Sequence, residues 1–295
     1  MVYKIIKQDA LRFLAGLPDN SIDLAVSSPP YFIGKEYDTS CSCDDFSRAH
    51  VQLARELARV VKRGGSICWQ VGSHVLDNVV IPLDAIVYTT FAESGLLKLR
   101  NRIVWTFGHG VHCSRRFSGR HETILWFTKG DDYHFDLDAV RVPQKYPGKR
   151  HYKGPNQGKL SGNPLGKNPG DVWDIPNVKS NHIEKTEHPC QFPVALVQRL
   201  VKALCPQNGL VIDPYLGSGS SAVAAISEGR DFMGCDIEAR YIKIAQKRAK
   251  DCVAGTLKTR PLDLPIHVPN ANDSVAQMPA HWKREFQPRS PELVR

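Results

Sequence analysis

Apolar and polar positions along the first 130 residues switch between two periods. Residues 3–8 alternate as a strand does, and residues 9–17 read as a short helix that begins at an acidic cap. Residues 23–27 form a short apolar strand that runs into two prolines. Residues 44–62 carry a helical period and stop at Arg63-Gly64-Gly65, a helix-end signal. Residues 66–71 predict the next strand, and residues 79–94 a helix closed by Gly95. Two further strands, 99–106 and 122–128, are near enough in sequence to pair as a long hairpin.

The pattern then breaks. Residues 143–176 are rich in Pro, Gly, Asn and Lys and hold no sustained apolar period, so they predict loop or a small irregular module. Periodicity returns with an amphipathic helix over 192–204, a strand over 209–212, a helix over 220–228, a strand over 231–235 and a helix over 239–251. From residue 254 the chain is Pro-rich with little apolar content, and no internal repeat is present. Strands alternating with helices predict an α/β fold, a doubly wound and largely parallel sheet covered on both faces. Ligands of such sheets sit at the carboxyl ends of the strands.

Composition narrows the picture. The chain has 295 residues, of which 42% are hydrophobic, enough for one large domain with an inserted module. Its apolar runs are too short to cross a bilayer and no signal-peptide pattern opens it, so no membrane partner and a cytoplasmic location are expected. The eight cysteines are irregularly spaced and read as free thiols in a reducing compartment. Cys41-Ser42-Cys43 and the His109, His112, Cys113, His121 group lack paired zinc spacing, so no metal is expected. Net charge is +9, and the irregular stretch between Arg141 and Glu187 holds nine basic against four acidic residues, which favours a polyanionic partner.

Two motifs fall at strand ends. Asp213-Pro214-Tyr215-Leu216-Gly217-Ser218-Gly219-Ser220 follows an apolar strand and opens a helix, so its glycines let a ligand approach free backbone N–H groups. Asp236 stands 23 residues after Asp213 at the end of the next strand, where a carboxylate can take both hydroxyls of a ribose. The pair suggests an adenosine-containing cofactor, either a dinucleotide or S-adenosylmethionine, and the loop is not the G-x-G-x-x-G of dinucleotide sites. The second motif, Ser28-Pro29-Pro30-Tyr31, fixes a rigid turn rich in carbonyl acceptors beside a hydroxyl and an aromatic face. That chemistry suits a flipped base: Ser28 and the Pro29 carbonyl would hold the N–H groups of an exocyclic amine while Tyr31 stacks on the ring.

Together the motifs resemble the amino-methylating DNA methyltransferases, which modify N4 of cytosine or N6 of adenine and serve restriction–modification systems. Asp213 to Gly219 is similar to the family's D-P-F-x-G-S-G cofactor motif, and Ser28-Pro29-Pro30-Tyr31 to its (S/D/N)-P-P-(Y/F) catalytic motif. Catalytic motif first and cofactor motif last is the order of the circularly permuted β group. Gln8-Asp9-Ala10-Leu11 resembles the segment whose acid contacts the adenine of the cofactor, and His188-Pro189-Cys190-Gln191-Phe192-Pro193 the one that supplies Phe192 and Pro193 to its pocket. Arg120-His121-Glu122 and Gly166-Lys167-Asn168-Pro169-Gly170-Asp171-Val172-Trp173 also have counterparts there.

The resemblance implies a seven-stranded S-adenosylmethionine-dependent fold with a catalytic half over 1–135, a target-recognition insert over 136–187, a cofactor half over 188–252 and a tail over 253–295. It implies cofactor contacts from Asp9, Phe192, Pro193, Asp213, Pro214, Tyr215, Gly217, Ser218, Gly219 and Asp236. In the insert, Lys145, Lys149, Arg150, Lys153, Lys159 and Lys167 would contact phosphates of double-stranded DNA. A cognate restriction endonuclease acting separately would be the functional partner, and the β group includes homodimers.

Three other classes fit less well. RNA, protein or small-molecule methyltransferases usually carry the two motifs in the reverse order. A catalytically dead DNA-binding protein would be expected to have lost part of one motif. A nicotinamide oxidoreductase needs a dinucleotide fingerprint. Pro189-Cys190-Gln191 also matches the nucleophile motif of cytosine-C5 enzymes, but it precedes the cofactor loop here instead of following it. In the resembled family Ser at position 28 goes mostly with N4-cytosine, and Asp or Asn mostly with N6-adenine.

Overall fold

The computed structural model describes residues 2–31, 43–108, 110, 112–179, 181–266 and 268–279. Cys41, Ser42 and His109, named above in the groups from which no metal is expected, lie outside these residues. Among the described residues no group of three His, Cys, Asp or Glu side chains could hold a metal, and no helix is long and apolar enough to cross a membrane.

β1 (Tyr3–Lys7) leads into α1 (Ala10–Ala15), which Asp9 caps by accepting the Arg12 N–H at 3.1 Å. β2 (Ile22–Ser27), α2 (Cys43–Val60) and β3 (Val61–Val71) follow. The chain then forms a small hairpin of β4 (Ser73–Leu76) and β5 (Val79–Pro82) before α3 (Leu83–Ala92). The long pair β6 (Leu97–Thr106) and β7 (His121–Lys129) is antiparallel, as their spacing predicts. After the irregular insert, which contributes β8 (Val172–Asp174), come α4 (Val194–Leu204), β9 (Leu210–Asp213), α5 (Ser220–Ser227), β10 (Asp231–Asp236) and α6 (Ala239–Val253).

One sheet has the order β1-β10-β9-β2-β3-β7-β6-β8, and within it only β7 runs against its neighbours. Seven strands form the expected sheet, and β8 adds an eighth on the β6 edge, where Trp173 pairs with Trp105. Two cores flank the sheet. One holds α1, α2 and α3 against Ala25, Ile67 and Trp69, and the other holds α4, α5 and α6 against Leu24, Val26 and Cys68. Alternate residues of one strand thus feed opposite cores, which is why these strands are apolar throughout. His50 is buried between Phe46 and Trp69; its Nδ1 donates to the Phe46 carbonyl and its Nε2 accepts the Trp69 indole at 3.0 Å. Burial pushes this imidazole down to about 4, so it is neutral and serves as a satisfied core group.

Two sequence expectations need correction. The helix predicted over 79–94 begins only at Leu83, because Val79–Pro82 is a strand turned back by Asp77 and Asn78 at φ 49° and 64°. Residues 143–176, read as loop or a small irregular module, contain the short strand β8, and Val140, Trp173 and Ile175 from the insert enter the main core. The first compact unit runs to Leu262, past the compositional boundary, because Leu257 and Leu262 rest on the core and the Arg260 N–H reaches buried Glu184 at 2.9 Å. A second unit starts at Asp263; its described part contains a turn in which the Asn270 N–H donates to the Asp273 carboxylate at 2.8 Å.

Candidate active site

β2 and β9 are neighbours in the middle of the sheet, and the chain leaves them in opposite directions. This is the topological switch point, where loops part and a crevice opens beyond the strand ends. Ser28-Pro29-Pro30-Tyr31 leaves β2 and Pro214-Tyr215 leaves β9, so two motifs almost two hundred residues apart face one another. Both line a single cleft of about 310 Å³, together with Asp9, Phe192, Gly217, Ser218 and Asp236.

Asp213 ties the two motifs together from behind. It is fully buried, and its carboxylate accepts from the Ser27 and Ser221 hydroxyls and from the Tyr215 N–H at 3.0 Å. Ser27 immediately precedes the catalytic motif, Tyr215 lies in the cofactor loop and Ser221 in the first turn of α5. Burial pushes the Asp213 carboxyl up to about 6, against the three hydrogen bonds that pull it down.

The catalytic side contains a hydrogen-bonded chain. The Gln70 amide donates to the Tyr31 oxygen at 2.9 Å and also to the Glu122 carboxylate. The Tyr31 and Ser28 hydroxyls are 3.3 Å apart. An ionised carboxylate only accepts, so the Gln70 NH₂ must face Glu122. With its oxygen accepting the other Gln70 N–H, Tyr31 can give its own proton to Ser28 Oγ. Burial and the nearby Glu122 hold the Tyr31 phenol well above its usual range, so it remains a donor.

The cofactor side is an acidic bay with aromatic walls. Asp236 accepts the Gly217 N–H at 2.9 Å and the Glu238 N–H at 2.8 Å, which leaves further lone pairs for a ligand. Burial, then the neighbouring Glu238, raises its carboxyl. Gly217 has φ +50°, and a Cβ there would stand 2.8 Å from His188 Nε2. The Cys190 N–H donates to His188 Nδ1 at 3.2 Å, so Nε2 carries the ring proton, and the ring abuts Tyr241 with centroids 4.3 Å apart. Beneath the loop, buried Arg248 donates to the Ser218 carbonyl at 2.7 Å. Carboxylates from Asp9, Asp236 and Glu238 beside apolar Phe192 and Tyr241 suit a cationic, ribose-bearing ligand, and S-adenosylmethionine has both properties.

Three expected cofactor residues do not line the cleft. Asp213 is beneath the loop, Pro193 precedes the first turn of α4, and Gly219, at φ +79° against Ala245, lets α5 approach α6. The six residues of the insert expected to contact phosphates are all exposed, and the Arg150 guanidinium donates to the Gly158 carbonyl at 2.6 Å. Sequence reasoning missed Gln70, Trp105, Phe107, Glu122 and Tyr241 as cleft residues. Gln70 left a signal, an amide in an otherwise apolar strand end, because a buried polar side chain needs partners.

A family model described as DNA methylase, of the N6/N4 methyltransferases, matches residues 22–247. The chain is 46% identical over 243 residues to type II methyltransferase M.BglII of Bacillus subtilis, covering 82% of this chain and 67% of that one. It is 31% identical to DNA adenine methyltransferase YhdJ of Escherichia coli, covering 83% and 81%. A Thermus thermophilus protein complexed with S-adenosyl-L-methionine is 25% identical with a TM-score of 0.63, a match covering 90% of this chain and 100% of that one. The two opposed motifs, the acidic bay and these likenesses agree: the chain belongs to the N6/N4 DNA methylases, S-adenosylmethionine-dependent enzymes that methylate an exocyclic amino group of DNA.

Proposed function

We propose that the target is N4 of cytosine, presented on a base turned out of double-stranded DNA. Ser28 carries this reading. It offers a small neutral acceptor, polarised by Tyr31, where the adenine-directed members of the resembled family mostly place a carboxylate or amide. The target amine donates its two N–H groups to Ser28 Oγ and the Pro29 carbonyl, and Tyr31 stacks on the ring. Holding both protons draws the nitrogen toward sp³ geometry and frees its lone pair. Bound S-adenosylmethionine supplies an electrophilic methyl group on its sulfonium, and the methylated nitrogen then sheds one proton to solvent. Glu122 and Gln70 keep the chain polarised, with no covalent intermediate on the protein.

Asp9, Phe192, Tyr215, Gly217, Ser218 and Asp236 hold the cofactor in this scheme, with Asp236 on the ribose. Asp213, Pro193 and Gly219 position that surface. The insert over 136–187 reads the target, with Lys145, Lys149, Arg150, Lys153, Lys159 and Lys167 on phosphates. M.BglII is named a type II methyltransferase, which supports a setting beside a separately acting restriction endonuclease. The name of YhdJ favours a second reading, N6 of adenine. Plasmid DNA incubated with the protein and S-adenosylmethionine, digested to nucleosides and analysed by mass spectrometry, decides between them. N4-methylcytosine is expected. N6-methyladenine would overturn the Ser28 argument, and 5-methylcytosine would transfer the chemistry to Cys190 in the same cleft.

A further inference from the structure

Phe117 is fully exposed, and no other large apolar side chain among the described residues reaches its 100%. It lies in the connection between β6 and β7, which is rooted in the cleft wall. Phe107 leaves β6 and Glu122 opens β7, both line the cleft, and the Phe107 N–H to Arg120 carbonyl bond of 3.0 Å closes the base of the loop. The tip is shaped internally: the Cys113 N–H donates to Ser118 Oγ at 3.1 Å and the Arg116 guanidinium to the Cys113 sulfur at 3.0 Å. This turn presents Phe117 outward between exposed Arg115 and Arg116 and half-buried Arg120. Glu122 follows Phe117 by five positions, so the Phe117 backbone stands within roughly 17 Å of the catalytic chain.

A bare aromatic ring flanked by cations, on a loop whose two ends are rooted in the wall of a base-binding cleft, is matched by one occupant. Turning a base out of a duplex leaves a gap in the stack, and an apolar wedge can fill it while arginines hold the neighbouring phosphates. We propose that Phe117 is the wedge that enters the DNA stack in place of the flipped base, with Arg115 and Arg116 on the flanking backbone. This rests on the flipped-base reading above, but it assigns a contact outside the cleft and outside the insert.

The test uses the full chain, wild type and Phe117→Ala, on two duplexes that carry the methylated sequence, located by single-molecule sequencing of plasmid treated with the protein and S-adenosylmethionine. One is fully paired; in the other the base opposite the target is replaced by an abasic site, so extrusion is cheap. Phe117→Ala should lose on the order of thirtyfold in single-turnover methylation of the paired duplex and recover to within about threefold of wild type on the abasic one. Phe117→Trp should retain the wild-type rate on both. Arg115→Ala should weaken binding of any duplex and make the log-affinity against log-salt slope shallower by about one. Equal loss on both duplexes, no loss on the paired one, or a change of sedimentation in Phe117→Ala would overturn the wedge alone. Failure of the wild type on both duplexes would overturn the DNA reading and the wedge with it.

Discussion

Removing the Asp213 carboxylate would strip three donors of their acceptor at once, two hydroxyls and a backbone N–H. Asp213→Ala should therefore cost roughly 3 kcal/mol in urea denaturation, and Asp213→Asn less, because its amide still accepts. Since burial raises this carboxyl to about 6, the folded state keeps a proton that the unfolded chain releases near pH 4. The stability advantage of wild type over Asp213→Asn should thus shrink as pH rises from 4 to 6. Asp236 behaves differently because it meets the ligand. Its carboxyl is raised, a ribose and a nearby cation favour its ionised form, and calorimetry should show S-adenosylmethionine binding weaken as the solution is acidified from neutral pH. Asp236→Asn should bind at least tenfold more weakly and lose that pH dependence. Glu122→Gln should lower kcat and leave cofactor affinity unchanged, because it releases the Gln70 amide to turn over; weakened cofactor binding would instead mark Glu122 as structural. Ser28, Tyr31 and Asp236 were legible because their motifs are local. Glu122 was not, because nothing in its own segment says that β7 starts beside β3.

At the level of elements, legibility followed packing. Strands buried on both faces, such as β2 and β9, and the amphipathic α4 were readable within a residue or two from apolar runs and period. The β4–β5 hairpin was hidden because Val79, Val80 and Ile81 also suit a helix, and the deciding feature is a turn with two left-handed residues, Asp77 and Asn78. β8 is only three residues long and is a strand because β6 offers it an open edge. The junction of α5 with α6 makes a sharper prediction. A Cβ on Gly219 would stand 2.8 Å from the Ala245 Cβ in addition to its left-handed φ. Gly219→Ala should destabilise by about 1–3 kcal/mol. Adding Ala245→Gly should recover only the part due to the Ala245 Cβ, because the Ala245 Cα also stands 2.9 Å away and the left-handed φ remains. Full recovery in urea denaturation would show that φ is not strained there.

At the largest scale, the first compact unit is built on one main sheet that interleaves strands from the two halves of the chain. β1 has no sheet neighbour until β10 exists, and β2 stands beside β9. A fragment of residues 1–187 should therefore expose the apolar edge of β2, bind the dye ANS and aggregate, whereas residues 1–262 should stay monodisperse, as light scattering would show. A soluble shorter fragment with native near-ultraviolet circular dichroism would contradict the reading of the sheet as a single cooperative unit. Fold class was legible at this scale from strand–helix alternation. The neighbour relation of β2 and β9 was not, because it depends on contacts that no sequence window spans.

That weave also sets a clock. The bond between Ser27 and Asp213 spans 186 residues, and ribosomes add about 5–20 residues per second, so roughly 10–40 s pass between the emergence of its two partners. During that interval the nascent chain carries its base-handling residues without the loop that complements them. Methylating capacity therefore waits until the chain has been made past Asp213 and its loop, and a chain that stalls before that point stays inert toward DNA.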